Sequence, residues 1–138
     1  MPEVNNWNQQ IIAQFHALGG KNIQGFGDNL LLLNSKGAKS GQVRVNPLAY
    51  SKDGDRYVII ASKAGAPKNP DWYHNLVKNP VTTISVGTDT IKVRATEAKG
   101  ADRDRLFAAH GALMPGFLEY ERKTTRKIPA IWLDKMAD

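Results

Sequence analysis

The chain has 138 residues, a formal net charge of +6 and no cysteine. Its length is typical of one domain with its own hydrophobic core, and the lack of cysteine excludes disulfides, cysteine nucleophiles and cysteine metal sites. A pI near 9.7 favours an anionic partner, such as a nucleic acid, an anionic membrane face or a polyanionic small molecule, although a basic pI also serves solubility alone.

The chain shows no sign of an exported or membrane-spanning protein. No charged segment followed by an apolar run opens it, so we expect no signal peptide. The longest apolar stretch, Leu30 to Leu33, is far too short to span a bilayer. We therefore predict a single domain over residues 1–138 in the cytoplasm, with surface association at the inner membrane face as the alternative.

The first predicted element is an amphipathic helix ended by Gly19-Gly20. Its apolar residues recur at steps near three and four: Trp7, Ile11, Ile12, Phe15 and Leu18. A loop at Gly25 to Gly27 follows, and the apolar run from Asn29 to Ser35 predicts a strand.

Two tight hairpins are predicted next. The first joins strands at Arg44 to Ser51 and Arg56 to Ser62 through Asp53-Gly54, where glycine tolerates the positive φ of the turn. The second turns at Gly87 to Asp89 between strands at Val81 to Val86 and Thr90 to Thr96.

Between the hairpins, Pro70 to Lys78 reads as a helix with Asn69 as its N-cap and Pro70 at its first position. A further helix begins near Ala101, breaks at Met114-Pro115-Gly116 and continues as a short helical segment. Ile128 to Leu133 is the last predicted strand, and Pro129 favours an edge or a bulge for it.

The predicted fold is α+β, mainly β, with about six short strands and three or four helices. Tight hairpins join most of the strands, so the sheet is expected to be antiparallel. Small antiparallel sheets remove their exposed edges by curling into a barrel.

A basic loop between a strand and a helix is the first candidate site. Ser62 and Lys63 end the strand, and Lys68, Asn69 and Pro70 open the helix. The free N–H groups and positive dipole of a helix start bind anions, and the small residues between them, Ala64, Gly65 and Ala66, let a ligand approach the backbone. The alternative is an ordinary surface loop with lysines for solubility.

A second basic loop places Lys39 and Arg44 around Ser40 and Gly41. Lysine offers a mobile point charge, whereas arginine grips a phosphate with two parallel hydrogen bonds. If the neighbouring strands adjoin, the two loops form one basic cleft. The glycine spacing matches neither a Walker nor a Rossmann fingerprint.

Other reaction centres find little support in the sequence. The three histidines, His16, His74 and His110, lack metal-ligand spacing, so we predict no metal site and a structural or solvated role for each. No Gly-x-Ser-x-Gly motif and no paired carboxylates occur near the predicted cleft, which disfavours hydrolysis.

Large apolar residues supply candidate pocket walls. Trp72 and Trp132 are expected in the core rather than in a pocket. Met114 to Phe117 is a broken helix with large apolar groups, which predicts a mobile flap over a flat ligand, with Tyr120 beside it.

Four segments together resemble the deazaflavin-dependent nitroreductase family of actinobacteria. They are Gly37 to Leu48, Ala61 to Lys63, Lys68 to Leu76 and Arg126 to Pro129, and the match runs from about Leu30 to Leu133. The resemblance implies a split β-barrel related to flavin-binding barrels. It also implies coenzyme F-420, an 8-hydroxy-5-deazaflavin with a ribityl phosphate and an oligoglutamate tail. In its reduced form this cofactor passes a hydride to flat conjugated acceptors, namely quinones, nitroaromatics and unsaturated lactones such as coumarin mycotoxins.

The resemblance also implies roles for individual residues. Lys39, Arg44 and Lys63 would face the phosphate or tail, and Asn46 and Pro47 would shape the ring site. The remaining cofactor-binding residues implied are Ser62, Ala64, Gly65, Lys68, Asn69, Trp72 and Tyr73. The implied acceptor site comprises Ala49, Met114, Phe117 and Tyr120, with Tyr120, Ser62 or solvent as the proton source.

The chain departs from the family pattern in its predicted flap. Met114 and Phe117 stand where better-known members carry tyrosines, as does Ala49, and only Tyr120 keeps a hydroxyl. Such a pocket can bind flat apolar acceptors but protonates or orients a nitro group less readily. Nitroaromatic reduction is therefore the least supported of the implied activities.

Two alternatives to a deazaflavin reductase stay open. The nearer one is an FMN-binding split-barrel oxidase of the pyridoxamine type. The other is a non-enzymatic barrel that binds single-stranded nucleic acid through cations and exposed aromatic residues, for which Tyr50 and Tyr57 are the main candidates. We predict a small-molecule acceptor and no nucleic acid as partner, and either a monomer or a homodimer.

Overall fold

The computed structural model describes residues 6–23, 27–38, 40–62, 69–124 and 127–136, without the side chains of residues 6–8 and 121. Its helices are α1 (Asn6–Ala17), α2 (Asp71–Lys78), α3 (Gly100–Leu113) and α4 (Gly116–Arg122). Its strands are β1 (Leu30–Lys36), β2 (Val43–Ala49), β3 (Ser51–Asp53), β4 (Arg56–Ile60), β5 (Val81–Val86), β6 (Asp89–Glu97) and β7 (Ala130–Lys135).

Within the described ranges, the strands form one antiparallel sheet in the order β2-β1-β5-β6-β7-β4-β3. The two edge strands, β2 and β3, are consecutive in the chain and only Tyr50 separates them. Since one residue cannot span a flat sheet of this width, the sheet curls until its edges meet. Tyr50 N–H donates to the carbonyl of Asn29 at 3.0 Å at this junction. The predicted antiparallel, barrel-like fold is confirmed.

The first predicted hairpin needs one correction. The run from Arg44 to Ser51 was expected to pair as a single strand with Arg56 to Ser62, but it divides at Tyr50. Its first part, β2, pairs with β1, and only the short β3 pairs with β4 across Gly54, whose φ is 63°. We call the place where the two edge strands meet, at Tyr50, the barrel seam. Because the run divides there, its two parts form the two opposite edge strands of the sheet.

Helices cover both faces of the curled sheet. Leu31 and Leu33 pack on the inner face with Trp72 and Leu76 of α2. The alternate residues of β1, Leu30 and Leu32, pack on the outer face with α1. Because β1 is buried on both faces, its sequence is continuously apolar rather than alternating.

The α3–α4 unit covers another part of the outer face. Leu106 and Phe107 pack with Val58 and Ile60 of β4 and with Trp132 of β7. Trp72 and Trp132 are both buried, as predicted. The break between α3 and α4 falls at Met114-Pro115, also as predicted.

The position of the last strand differs from expectation. Pro129 favours an edge or a bulge for this strand, but β7 lies between β6 and β4 and pairs in regular register with both. Pro129 precedes the strand, and its carbonyl accepts a hydrogen bond from Ala61 N–H at 3.0 Å. The missing N–H therefore falls just outside the central ladder, where it disrupts no strand pairing.

The start of α2 shifts by one residue, because Pro70 rather than Asn69 is the N-cap. Pro70 has φ −67° and ψ 157°, which is extended backbone, and its carbonyl accepts from Tyr73 N–H at 3.0 Å. The second hairpin, β5–β6, forms as predicted with Gly87 at φ 60°. Among the described residues no helix combines the length and apolar character needed to cross a bilayer.

Candidate functional site

Edge strand β2 supplies the first wall of a cleft. Antiparallel pairing places Arg44 opposite Ser35 and Asn46 opposite Leu33. Directly opposed residues share a face of the sheet, so Arg44 and Asn46 project to the inner face, where α2 lies. Pro47 faces the outer side and needs no second ladder partner, because β2 is an edge strand.

Two adjoining cavities lie between β2 and α2, and α1 borders the first of them through Gln9 and Ile12. One has a volume of about 480 Å³ and is lined in part by Asn46, Pro70 and Trp72. The other has about 540 Å³ and reaches the β1–β2 loop at Ser40. Both are also lined by Arg44, Asp71 and Asn75. We call the two cavities together the β2–α2 cleft.

Asn75 ties the β1–β2 loop to α2. Its Oδ1 accepts a hydrogen bond from Ala38 N–H at 2.9 Å, and its Nδ2 donates to Ser35 Oγ at 3.3 Å. Both Asn75 and Ser35 are buried. Lys78 Nζ adds a hydrogen bond to the Ala38 carbonyl at 2.8 Å. The β1–β2 loop is therefore held against α2. The adjacency of the strands on which a single basic cleft depended is not observed, because the described strands β2 and β4 are not neighbours in the sheet.

Asn75 has no role among the sequence-based predictions. A signal was present, since Trp72, Asn75 and Leu76 form the buried stripe of α2. An amide on an otherwise apolar helix stripe must find hydrogen-bond partners inside the protein.

The β2–α2 cleft contains both positive and negative groups. The Arg44 side chain is exposed, and the N-terminus of α2 contributes its unpaired N–H groups and positive dipole end. Asp71 in the first helical turn lines both cavities and offsets part of this charge. An anion is therefore best placed beside Arg44, away from the Asp71 carboxylate.

The predicted cofactor-binding residues are only partly described. Lys39, Lys63, Ala64, Gly65 and Lys68 lie outside the described residues. Of the others, Arg44, Asn46 and Trp72 line the cleft. Ser62 is buried just beyond β4, Asn69 is half-buried just before α2, and Pro47 is buried on the outer side of β2.

Tyr73 directs its hydroxyl elsewhere. The phenol donates to Glu97 Oε1 on β6 at 2.5 Å. Burial and the neighbouring carboxylate raise the pKa of Tyr73 to about 12. Its side chain lines a separate cavity on the other flank of α2.

The predicted acceptor residues cluster around the α3–α4 break. Phe117 lies edge-on between His110 and Tyr120, with ring centroids 4.4 and 5.3 Å away. Phe117 and Tyr120 pack on the outer-face cluster, and Met114 is half-buried at the break. Ala49 is buried at the end of β2. None of these four residues lines the described β2–α2 cleft.

His110, for which the sequence predicts a structural or solvated role, is a buried polar residue. It is fully buried, and its Nδ1 lies 2.9 Å from Ser51 Oγ. Its Nε2 has no hydrogen-bond partner among the described residues, and burial lowers the pKa of His110 to about 4. His16 and His74, in contrast, are exposed.

Comparison with solved structures defines the class of protein. The structure of an F420-H2 dependent reductase, FDR-A, aligns with a TM-score of 0.71 and 33% identity, covering 77% of this chain and 94% of that one. A structure described as a domain-swapped dimer aligns with a TM-score of 0.73 and 30% identity, covering 95% and 96%. The fold is therefore that of a split-barrel reductase.

Sequence comparison is more specific. The family model for F420H(2)-dependent quinone reductase matches residues 7–134. An F420H(2)-dependent quinone reductase of Mycobacterium tuberculosis is 40% identical over 108 residues, covering 76% of this chain and 72% of the relative. The chain belongs to the F420H(2)-dependent quinone reductase family. The resemblance drawn from the sequence is thereby confirmed.

The described cleft fits a flat ring with an anionic arm. Trp72, 6% exposed, offers an apolar wall, and the exposed Arg44 lines the same cavity. The cavity volumes fall in the range of cofactor sites. Arg44, Asn46 and Trp72 are the described residues that would hold a deazaflavin.

Proposed function

We propose that this chain binds reduced coenzyme F420 in the β2–α2 cleft and catalyses the reduction of a quinone-type acceptor. The observation that carries the proposal is the placement of Arg44 beside the start of α2 and the wall of Trp72, in a chain of this family. When bound, the reduced deazaflavin supplies a hydride to the acceptor, and the protein supplies binding, orientation and exclusion of water.

Binding and orientation are divided among a few residues. Arg44 grips a phosphate or carboxylate with two N–H groups. Trp72 limits the tilt of the ring, and Asn46 offers an amide at the same wall. Asn75 holds the β1–β2 loop against α2, so the cationic end of the cleft keeps its shape. Lys39, Lys63 and Lys68 are proposed to add charge to this end.

The proton for the reduced acceptor is proposed to come from Tyr120, Ser62 or solvent. Tyr120 is half-buried against Phe117, which is compatible with a flap that exposes its hydroxyl when it moves. Ser62 is buried two residues beyond the end of β4.

Flat apolar acceptors are favoured by the side chains of the proposed flap. Met114, Phe117 and Ala49 carry no hydroxyl, so a neutral conjugated ring loses little hydration on contact with them. We propose quinones as the main acceptors and unsaturated lactones, including coumarin mycotoxins, as further ones. Nitroaromatics are proposed as the poorest, because Tyr120 is the single hydroxyl of this set.

Arg44→Ala tests the cofactor site. We expect the Kd for reduced coenzyme F420 to rise by about tenfold or more, because a charge-assisted bidentate contact is lost. Arg94→Ala is the matched control, since Arg94 is an exposed arginine on β6 and its loss changes the net charge equally. The Kd is measured by anaerobic fluorescence titration, followed by turnover with a quinone, a coumarin and a nitroaromatic.

The same titration separates the alternatives. Tight binding of FMN without binding of coenzyme F420 would support an FMN oxidase instead. Equal Kd values for the Arg44 and Arg94 variants would remove Arg44 from the site. The nucleic-acid alternative loses part of its support, because Tyr57 is buried and packs edge-on against Tyr50 at 5.5 Å, so its ring is not available for stacking with bases.

We retain a monomer or a homodimer as the proposed states. The related structure described as a domain-swapped dimer supports the second. The apparent mass in solution tests the choice.

A further inference from the structure

A second cavity lies on the opposite flank of α2. Its volume is about 240 Å³, and it lies between α2 and β6, with Tyr73, Leu76, Pro80, Glu97 and Ile131 in its lining. None of its lining residues belongs to the β2–α2 cleft. We call it the α2–β6 cavity.

The walls of the α2–β6 cavity are mostly apolar and rigid. Leu76 and Ile131 are 4% and 3% exposed and belong to the inner core. Pro80 and Ala95 are half-buried, and Val77 is exposed beside them. These walls suit a flat apolar ring of one or two cycles, which gains by leaving water.

One polar pair interrupts these apolar walls. Tyr73 donates its hydroxyl proton to Glu97 Oε1 at 2.5 Å, and the raised pKa of Tyr73, about 12, keeps that proton on the phenol. A carboxylate offers only acceptor lone pairs, and the phenol has already committed its one donor. Both groups therefore present acceptors to anything that enters the cavity.

The ion pair between Glu97 and Lys99 is weak. Lys99 Nζ lies 3.4 Å from Glu97 Oε2, and the Lys99 side chain is 79% exposed. An exposed pair of this length contributes little, so a ligand donor can replace it at Oε2 at small cost.

We propose that the α2–β6 cavity binds a small hydroxylated aromatic ring, whose hydroxyl donates to the Glu97 carboxylate while its ring packs on Leu76, Pro80 and Ile131. A quinone carries only acceptor oxygens, and the polar side chains that line the cavity, Tyr73 and Glu97, offer it only acceptors. The cavity therefore selects the hydroxylated form over the oxidised one. Hydroxylated rings are also the products of quinone reduction; this link to the products rests on the proposed function, whereas binding itself does not.

The test uses the full chain without cofactor and two stable probes. 2-Naphthol carries one hydroxyl donor, and 2-methoxynaphthalene replaces that donor by an ether. We expect 2-naphthol to bind at least about tenfold more tightly, as a hydrogen bond to a charged group predicts. Binding is measured by ligand-observed NMR and calorimetry.

Variants locate the probe. Glu97→Gln should remove most of the preference for 2-naphthol, because the amide offers a donor as well as an acceptor. Tyr73→Phe should keep the preference, since it leaves both oxygens of Glu97 available. Glu119→Gln is the matched control, because Glu119 is an exposed acid on α4 paired with Arg122.

The proposal fails if the two probes bind equally, if neither binds, or if Glu97→Gln and Glu119→Gln behave alike. Failure of the proposed reductase function is seen separately, as lack of coenzyme F420 binding in the same protein preparation. A Glu97→Gln protein that loses the probe preference but keeps its cofactor affinity would confirm a second site.

Discussion

Among the described residues, His110 has the buried side-chain nitrogen that lacks a hydrogen-bond partner. It sits on the buried side of α3, with Ser51 Oγ 2.9 Å from Nδ1 and Phe117 edge-on to its ring. Burial lowers the pKa of His110 to about 4, so the ring is neutral at physiological pH. The pair joins β3 at the barrel seam to the helix that precedes the proposed flap.

His110 makes stability depend on pH. Its folded pKa of about 4 lies below the ordinary value of 6.5, so between these values the unfolded chain binds the extra proton. The free energy of unfolding therefore falls as pH decreases from 6.5 towards 4, by at most about 1.4 kcal/mol per pH unit. Urea denaturation at several pH values across this window measures the slope.

His110→Gln can keep a hydrogen bond to Ser51 but cannot titrate, so we expect a shallower slope across the same pH window. His16→Gln, at an exposed histidine on α1, is the matched control for the substitution itself. Equal slopes in the wild-type and His110→Gln proteins would show that another group causes the dependence.

At the scale of elements, α2 organises the inner side of the barrel. One flank, with Trp72 and Asn75, lines the β2–α2 cleft, and the other flank, with Tyr73 and Leu76, lines the α2–β6 cavity. Eight residues suffice for both, because neighbours on a helix point about 100° apart. The hydrogen bonds of Asn75 then transmit the position of α2 to the β1–β2 loop.

Asn75→Ala should loosen the cationic end of the cleft. The change leaves Ala38 N–H and Ser35 Oγ without this partner, which costs about 1–3 kcal/mol of stability. We expect the KM for the cofactor to rise severalfold while kcat changes little, because the loop holds the anionic arm. Steady-state kinetics with varied cofactor measures both.

Asn34→Ala is the control for general destabilisation. Asn34 Nδ2 donates to Thr83 Oγ1 at 2.9 Å between β1 and β5, which lies outside the loop contacts. It should lower stability without raising the cofactor KM. A parallel rise in KM in both variants would indicate that Asn75 acts through stability alone.

For the whole molecule, the net charge of +6 is the relevant property. A positive surface raises the local concentration of a polyanionic ligand and has little effect on a neutral one. Part of the cationic charge is engaged in ion pairs on other surfaces, such as Arg56 with Asp134 and Arg105 with Asp53. Arg44, in contrast, lines the cleft itself.

The KM for the cofactor should therefore depend on salt concentration, whereas the KM for a neutral acceptor should not. Between ionic strengths of about 0.01 and 0.15 M the Debye length shrinks from about 30 to 8 Å. We expect the KM for coenzyme F420 to rise severalfold over this range and the KM for a neutral quinone to stay constant. A KM for coenzyme F420 that does not change with ionic strength would argue against a contact between the protein's cations and the anionic tail of the cofactor.

Local pattern was enough to predict much of the fold. The β5–β6 hairpin, the break between α3 and α4, and helix α1 with its end before Gly19-Gly20 follow from glycine, proline and apolar spacing. The division of the run from Arg44 to Ser51 does not, because no residue in it marks an end and only the meeting of the two sheet edges decides it. The central position of β7 could not be predicted from the sequence either. Pro129 argues against a central strand, but it lies one residue before β7 and takes no part in the strand pairing.

The sequence by itself determined the family and the position of the two basic loops in the chain. It also indicated a flat, anionic cofactor, because all of these depend on residue type and short spacing. Only the tertiary structure decided that Arg44, Asn46 and Trp72 share a cleft, that Tyr73 turns to Glu97 and that His110 is buried beside Ser51. These contacts join residues that are far apart in the chain. They form because the sheet curls and because α2 packs on its inner face.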